Sequence, residues 1–222
     1  MDKNELVTRV LHLATQLQVR ETEEGSSRTI TGYAILFNTP SEVLYSYDDE
    51  EEREVIAPSA VTKELLDSCD IKMTMFHDRQ LILARSNKGT GTLKYSVDDK
   101  GVAFEFEAPK TADGDKALEL VRRGDIAGCS FMFTTHYYDE AFVTRTVQQS
   151  DGKTLITYTI NVITGIYDFT LAADPAYPAT SVEAAEAREL FANKRKQADE
   201  HKKTIREQVK DMRQTASRKV YV

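Results

Sequence analysis

Residues 94–107 read KYSVDDKGVAFEFE. Two runs of alternating character flank DDKG, a tight-turn sequence, so the segment reads as a β-hairpin. In the second run Val102, Phe104 and Phe106 alternate with Ala103, Glu105 and Glu107. A strand sends successive side chains to opposite faces, so one face is apolar and the other, with both glutamates, is solvated. This pattern constrains the fold most, because it recurs along the chain. LQVRETEEGSSRTITGYAILFN has two such runs around EEGSS, and IKMTMFHD, IAGCSFMFTTHYY, AFVTRTVQQ, TLITYTINV and IYDFTLAAD are further strand-like runs. SDGK at Ser150–Lys153 marks another turn.

Helical segments are few. PKTADGDKALELVRRGD has an apolar face of Ala117, Leu118 and Val121, and Gly124 ends it. APSAVTKELLDS predicts a short helix after Pro58, with Ser59 as its cap. The stretch Leu6–Gln18 is compatible with helix or strand, and DDEEERE at Asp48–Glu54 reads as the solvated tip of a loop. The expected fold is a barrel or α+β fold, mainly antiparallel β, with one or two helices packed on it.

After Pro175 and Pro178 the sequence changes. Residues 182–222 contain 11 Lys and Arg against 7 Asp and Glu, so this tail carries +4 of a total of −7 and the rest carries −11. Its residues favour helix, and Ile205, Val209 and Met212 form one narrow apolar stripe that cannot build a core alone. Residues 1–180 are therefore expected to be the folded domain, and 181–222 a charged helical tail, free or partner-binding. The acidic body disfavours nucleic acid as a partner. No apolar run is long enough for a membrane-spanning helix, and the first residues do not resemble a secretory signal. Cys69 and Cys129 suggest neither a disulfide framework nor a zinc site, and the four histidines lack metal spacing, so no cofactor or metal is expected.

One hydroxyl needs an explanation. Ser130, in GCSFMF, lies among large apolar residues. Strand parity puts Cys129, Phe131 and Phe133 on one face and Gly128, Ser130 and Met132 on the other. Ser130 is either a core hydroxyl bonded to main chain or a nucleophile in need of a base. His136 would lie roughly 20 Å away along a straight strand. His12 and His201 are placed at helical ends, which leaves His77, itself at a position where a structural role is common. Asp168 is a charge inside an apolar strand, where burial demands a partner: Arg or Lys in the simple reading, His77 in the sharper one.

The order GYAILFNTPS, IAPSAV, FHDRQLILARSNKGTGTL, DDKGVAFEFEAPKTADGDKALELVRRGDIAGCSFMF and DPAYPAT resembles the prohead (capsid maturation) proteases of tailed bacteriophages, most closely the HK97-type group. The resemblance spans about Thr29 to Thr180. It implies an assemblin-like β-barrel with surrounding helices and a serine endopeptidase inside the immature capsid, within the host bacterial cytoplasm. Its substrates would be scaffold, the N-terminal segment of the major capsid protein, or both, with self-cleavage common and a homo-oligomer allowed. It places the nucleophile on Ser130 and the base on His77, and the acidic third position falls on Asp168. Phe76 stands where many relatives have Asn, and Cys129 where they have Met. LAR at Leu83–Arg85 replaces LGR, with Arg85 expected to orient a loop or pair with Asp168. The competing expectation is a non-catalytic β-barrel virion assembly protein in which Ser130 is only a core hydroxyl.

Overall fold

The computed structural model describes residues 4–13, 17–22, 25–47 and 49–172. The strands are β1 (Val7–Leu13), β2 (Gln18–Thr22), β3 (Gly25–Leu36), β4 (Tyr45–Tyr47), β5 (Glu50–Ile56), β6 (Asp70–Met75), β7 (Asp78–Asn87), β8 (Thr90–Gly91), β9 (Lys94–Val97), β10 (Gly101–Glu107), β11 (Gly128–Thr135), β12 (Val143–Ser150), β13 (Lys153–Ile160) and β14 (Gly165–Ala172). Helix α1 (Lys63–Ser68) precedes β6 and α2 (Ala112–Arg123) precedes β11.

The strands form three sheets, in the orders β1-β11-β14-β6-β7-β8, β2-β3-β10-β9 and β12-β13-β5-β4. Only β13 with β5 and β14 with β6 pair in parallel among these ladders. The mainly antiparallel β fold with peripheral helices is thus present, as open sheets rather than one closed barrel. The tail expected over residues 181–222 lies outside the described residues.

The alternation read from the sequence becomes burial. Val102, Phe104 and Phe106 enter the core, and Glu105 turns outward to an ion pair with Arg20. Phe131 and Phe133, one strand turn apart on β11, stack at 5.1 Å and are fully buried with Phe169 of β14. Each such ring contributes roughly 2–3 kcal/mol of apolar transfer. Helix α2 starts at Thr111, whose hydroxyl accepts from the Gly114 N–H, and ends at Gly124 with φ 77. It buries Ala117, Leu118 and Val121, as its periodicity predicts.

Two local expectations are corrected and one open choice is decided. Pro58–Ala60 is a short 3-10 turn, and α1 begins afterwards with Thr62 as its cap; Ser59 instead donates to the Asn161 carbonyl. Within Leu6–Gln18, which the sequence left open between helix and strand, Val7–Leu13 forms strand β1 along the edge of β11. Glu50–Ile56 is not a solvated tip but strand β5, in which Glu54 is fully buried. Its partner is Arg9 of β1, whose guanidinium also lies 4.8 Å from the Tyr137 ring. Burial disfavours the Arg9 charge, yet Glu54 overrides it and holds the guanidinium protonated. The same environment, burial first and Glu54 next, pushes the Tyr137 hydroxyl well above its ordinary range.

Candidate active site

The β6–β7 hairpin turns on Phe76 and His77 alone, since Met75 pairs with Asp78. Both turn residues have positive φ, 55° and 58°. Turns of this kind ordinarily use Asn-Gly or Asp-Gly, because a Cβ in the left-handed region costs about 1–2 kcal/mol per residue. Asn tolerates that region; Phe76 does not favour it, and Phe76 is 43% exposed. Contacts to β14 hold the turn. The Phe76 N–H donates to the Leu171 carbonyl at 3.1 Å, and the His77 N–H donates to Thr170 Oγ1 at 2.8 Å.

Sheet order then brings the candidate side chains together. β11, β14 and β6 are neighbours, with Ser130 level with Thr170 and Leu171 level with Met75. The turn after Met75 folds back so that the His77 ring lies between its neighbours' side chains. His77 Nε2 is 2.8 Å from Ser130 Oγ. Nδ1 is 3.2 Å and 3.1 Å from Asp168 Oδ1 and Oδ2. Ser130 is 0% and Asp168 5% exposed, and the His77 side chain is 19% exposed. The carboxylate beside Nδ1 makes that nitrogen the N–H donor and leaves the Nε2 lone pair facing the Ser130 hydroxyl.

The serine hydroxyl has a second acceptor, the Leu11 carbonyl of β1 at 2.9 Å. It has one proton to give, so Nε2 and Leu11 O compete for it. This contact had no side-chain signature in the sequence. Neither did Thr170, fully buried, which also receives a hydrogen bond from Thr74 Oγ1 at 2.9 Å.

Other expected residues fall elsewhere. Arg85 does not reach Asp168; it binds Asp70 in bidentate fashion at 2.7 Å and 2.8 Å, with Lys72 on the same carboxylate at 2.7 Å. Hydrogen bonds from Arg85 and then Lys72 hold the Asp70 carboxyl far below the usual carboxylate range. Asp168 therefore takes the histidine as its partner rather than Arg85 or Lys72. His136 follows the end of β11 and packs edge-on to Phe142 at 4.7 Å. His12 is not at a helical end; it sits in β1, its Cα opposite that of Ser130. His201 lies outside the described residues. Burial pushes the Cys129 thiol up, so it offers no thiolate beside Ser130. Among the described residues no cluster of His, Cys, Asp and Glu suits a metal ion, and no helix is long and apolar enough to cross a membrane.

No curated protein matches the chain. Among solved structures, the bacteriophage T4 capsid assembly protease aligns with 11% identity over 76% of this chain and 100% of its own, at a TM-score of 0.38, too low to carry an argument. Residues 15–196 fit the family of caudovirus prohead serine proteases, and the chain belongs to that family.

Proposed function

We propose that this prohead protease is a serine endopeptidase acting through Ser130, His77 and Asp168 on scaffold and on the N-terminal segment of the major capsid protein inside the prohead. One observation carries the reading. Ser130 Oγ sits 2.8 Å from His77 Nε2, and Asp168 lies against the other ring nitrogen. Such a chain of nucleophile, base and orienting carboxylate is what acyl transfer requires.

In the forward step Ser130 Oγ attacks the scissile carbonyl carbon while its proton passes to Nε2. The ring becomes imidazolium, and the Asp168 carboxylate stabilises it without taking the proton. When the tetrahedral adduct collapses, Nε2–H protonates the departing amine and leaves an ester on Ser130. Water then attacks the ester with Nε2 as base, releasing the acid and restoring the hydroxyl. The Ser130 hydroxyl must rotate from Leu11 O to Nε2 before the proton can transfer, and both acceptors already lie within reach of Oγ.

The same contact supports the second reading. A serine fully buried and bonded to main chain is also how a core hydroxyl in a non-catalytic assembly protein is satisfied. Coexpression with the capsid protein separates the two. Ser130→Ala and His77→Ala should each slow processing by on the order of 10⁴-fold or more, and the double variant should be no worse. Wild-type processing by either folded variant would overturn the proposal. The tail over residues 181–222 is read as the segment that recruits the protease to scaffold or capsid protein, and it is a candidate for self-cleavage. Truncation after Thr180 should then abolish copackaging and spare peptidase activity; equal packaging of the truncated chain would refute this role.

A further inference from the structure

We propose that Thr170 is a positioning residue that holds the base in reach of the nucleophile through the main chain of His77. The inference rests on the reading of His77 as the base.

Thr170 lies two residues after Asp168 on β14, so both side chains share a face of that strand. Asp168 meets the His77 ring; Thr170 meets the His77 backbone, accepting its N–H at 2.8 Å. Thr170 is 0% exposed and flanked by Phe169 and Leu171, surroundings that give a hydroxyl no solvent. Thr74, itself 1% exposed, donates to the same oxygen, which fixes where Oγ1 points. The need for such a tie comes from the turn. Phe76 and His77 both occupy the left-handed region without being glycine or asparagine. Phe76 has nothing in its chemistry that favours that conformation and His77 only tolerates it, so the hydrogen bonds to β14 help to hold the turn. The Phe76 N–H bond to Leu171 anchors the turn's first residue, and Thr170 anchors its second. Releasing the second lets His77 relax its φ and swing Nε2 away from Ser130. A displacement near 1 Å is enough to cost about 100-fold in rate.

The test is the low-field Nδ1–H resonance of His77, followed by NMR on the full chain with histidine alone labelled. Wild type, Thr170→Val, Thr170→Ser and Asp168→Asn are compared, and processing of coexpressed capsid protein is measured alongside. Thr170→Val keeps shape but loses the acceptor; Thr170→Ser keeps the acceptor. The expected result is a resonance in wild type and Thr170→Ser, and its loss or at least about tenfold faster exchange in Thr170→Val. Processing should fall by about 10- to 100-fold in Thr170→Val and return to within about threefold in Thr170→Ser. A purely structural role would lower the unfolding temperature and leave the resonance of the folded molecules intact. If Thr170→Val unfolds, Thr170→Ala is read the same way, and unprotected exchange of the His77 amide in wild type would by itself refute the tie. A wild-type resonance and rate in folded Thr170→Val overturn the positioning role, while loss of the resonance in Asp168→Asn keeps the base reading alive. A wild-type spectrum indistinguishable from that of Asp168→Asn overturns both.

Discussion

The turn between β12 and β13 and the turn between β6 and β7 have the same length and the same sign of φ, and they are made of opposite chemistry. The first is Asp151–Gly152, with φ 51° and 78°, closing the pair Ser150 and Lys153. A Cβ on Gly152 would meet nothing within 4 Å, so the glycine is there for its backbone alone. The second is Phe76–His77, at φ 55° and 58°. The Asp-Gly turn is selected locally and joins two strands at the surface. The Phe-His turn is tied to β14 by two hydrogen bonds, and it delivers an imidazole to a buried serine. Strain persists in a fold where surrounding structure over-determines it, and here it sits on the proposed base. A comfortable turn can be read from two residues; a strained one can be understood only from what clamps it.

The comparison is broken most severely from the carboxylate side. Asp168→Asn removes the charge behind Nδ1 and lets the ring take the wrong tautomer, so processing should fall by about 10²- to 10⁴-fold in a folded protein. Asp151→Asn in the other turn should leave the rate unchanged. A loss of under about threefold for Asp168→Asn would mean that the carboxylate does not orient the base.

A smaller pair of effects tests the strain itself. Phe76→Asn should stabilise the chain by up to about 1 kcal/mol, because Asn accepts the left-handed region and an exposed ring gives up little packing. Gly152→Ala should destabilise by about 1 kcal/mol for the converse reason. Denaturant midpoints measure both. Destabilisation by Phe76→Asn would show that the turn carries no strain.

The smallest effect belongs to Arg85. Its pair with Asp70 lies at the open end of the same hairpin, with half-exposed side chains. Arg85→Ala should lower stability only slightly and leave processing intact. Because Arg85 depresses the Asp70 pKa in the folded state, the stabilisation is complete above the ordinary value of 3.8 and fades as pH falls through the lower folded value. Thermal unfolding of the two proteins should therefore converge only in strong acid; convergence at neutral pH would rule out the pair's contribution.

These contrasts also explain what was readable in the sequence. The alternation in KYSV and GVAFEFE fixes which face is buried, so β9, β10 and most later strands follow from the local pattern. Ser130 and Asp168 were legible because polar groups in apolar strands need partners. β5 was not, since EEEREV carries no apolar alternation, and the residue that admits Glu54 to the core is Arg9, on a different sheet. β1 was ambiguous because its assignment depends on pairing with β11, more than 100 residues later. Thr170 was invisible, because a threonine in a strand is ordinary until its hydroxyl is seen to hold another residue's main chain. Leu11 acts through a carbonyl, which every residue has.

The central claim is that His77 activates Ser130, and covalent labelling tests it most directly. The full chain is exposed to a fluorophosphonate, which loses fluoride to an activated serine oxygen, and the modified residue is located by mass spectrometry. The account predicts modification at Ser130, slowed by on the order of 10³-fold or more in His77→Ala with the fold retained. A phosphonate on another residue, or an undiminished rate at Ser130 in His77→Ala, would contradict it.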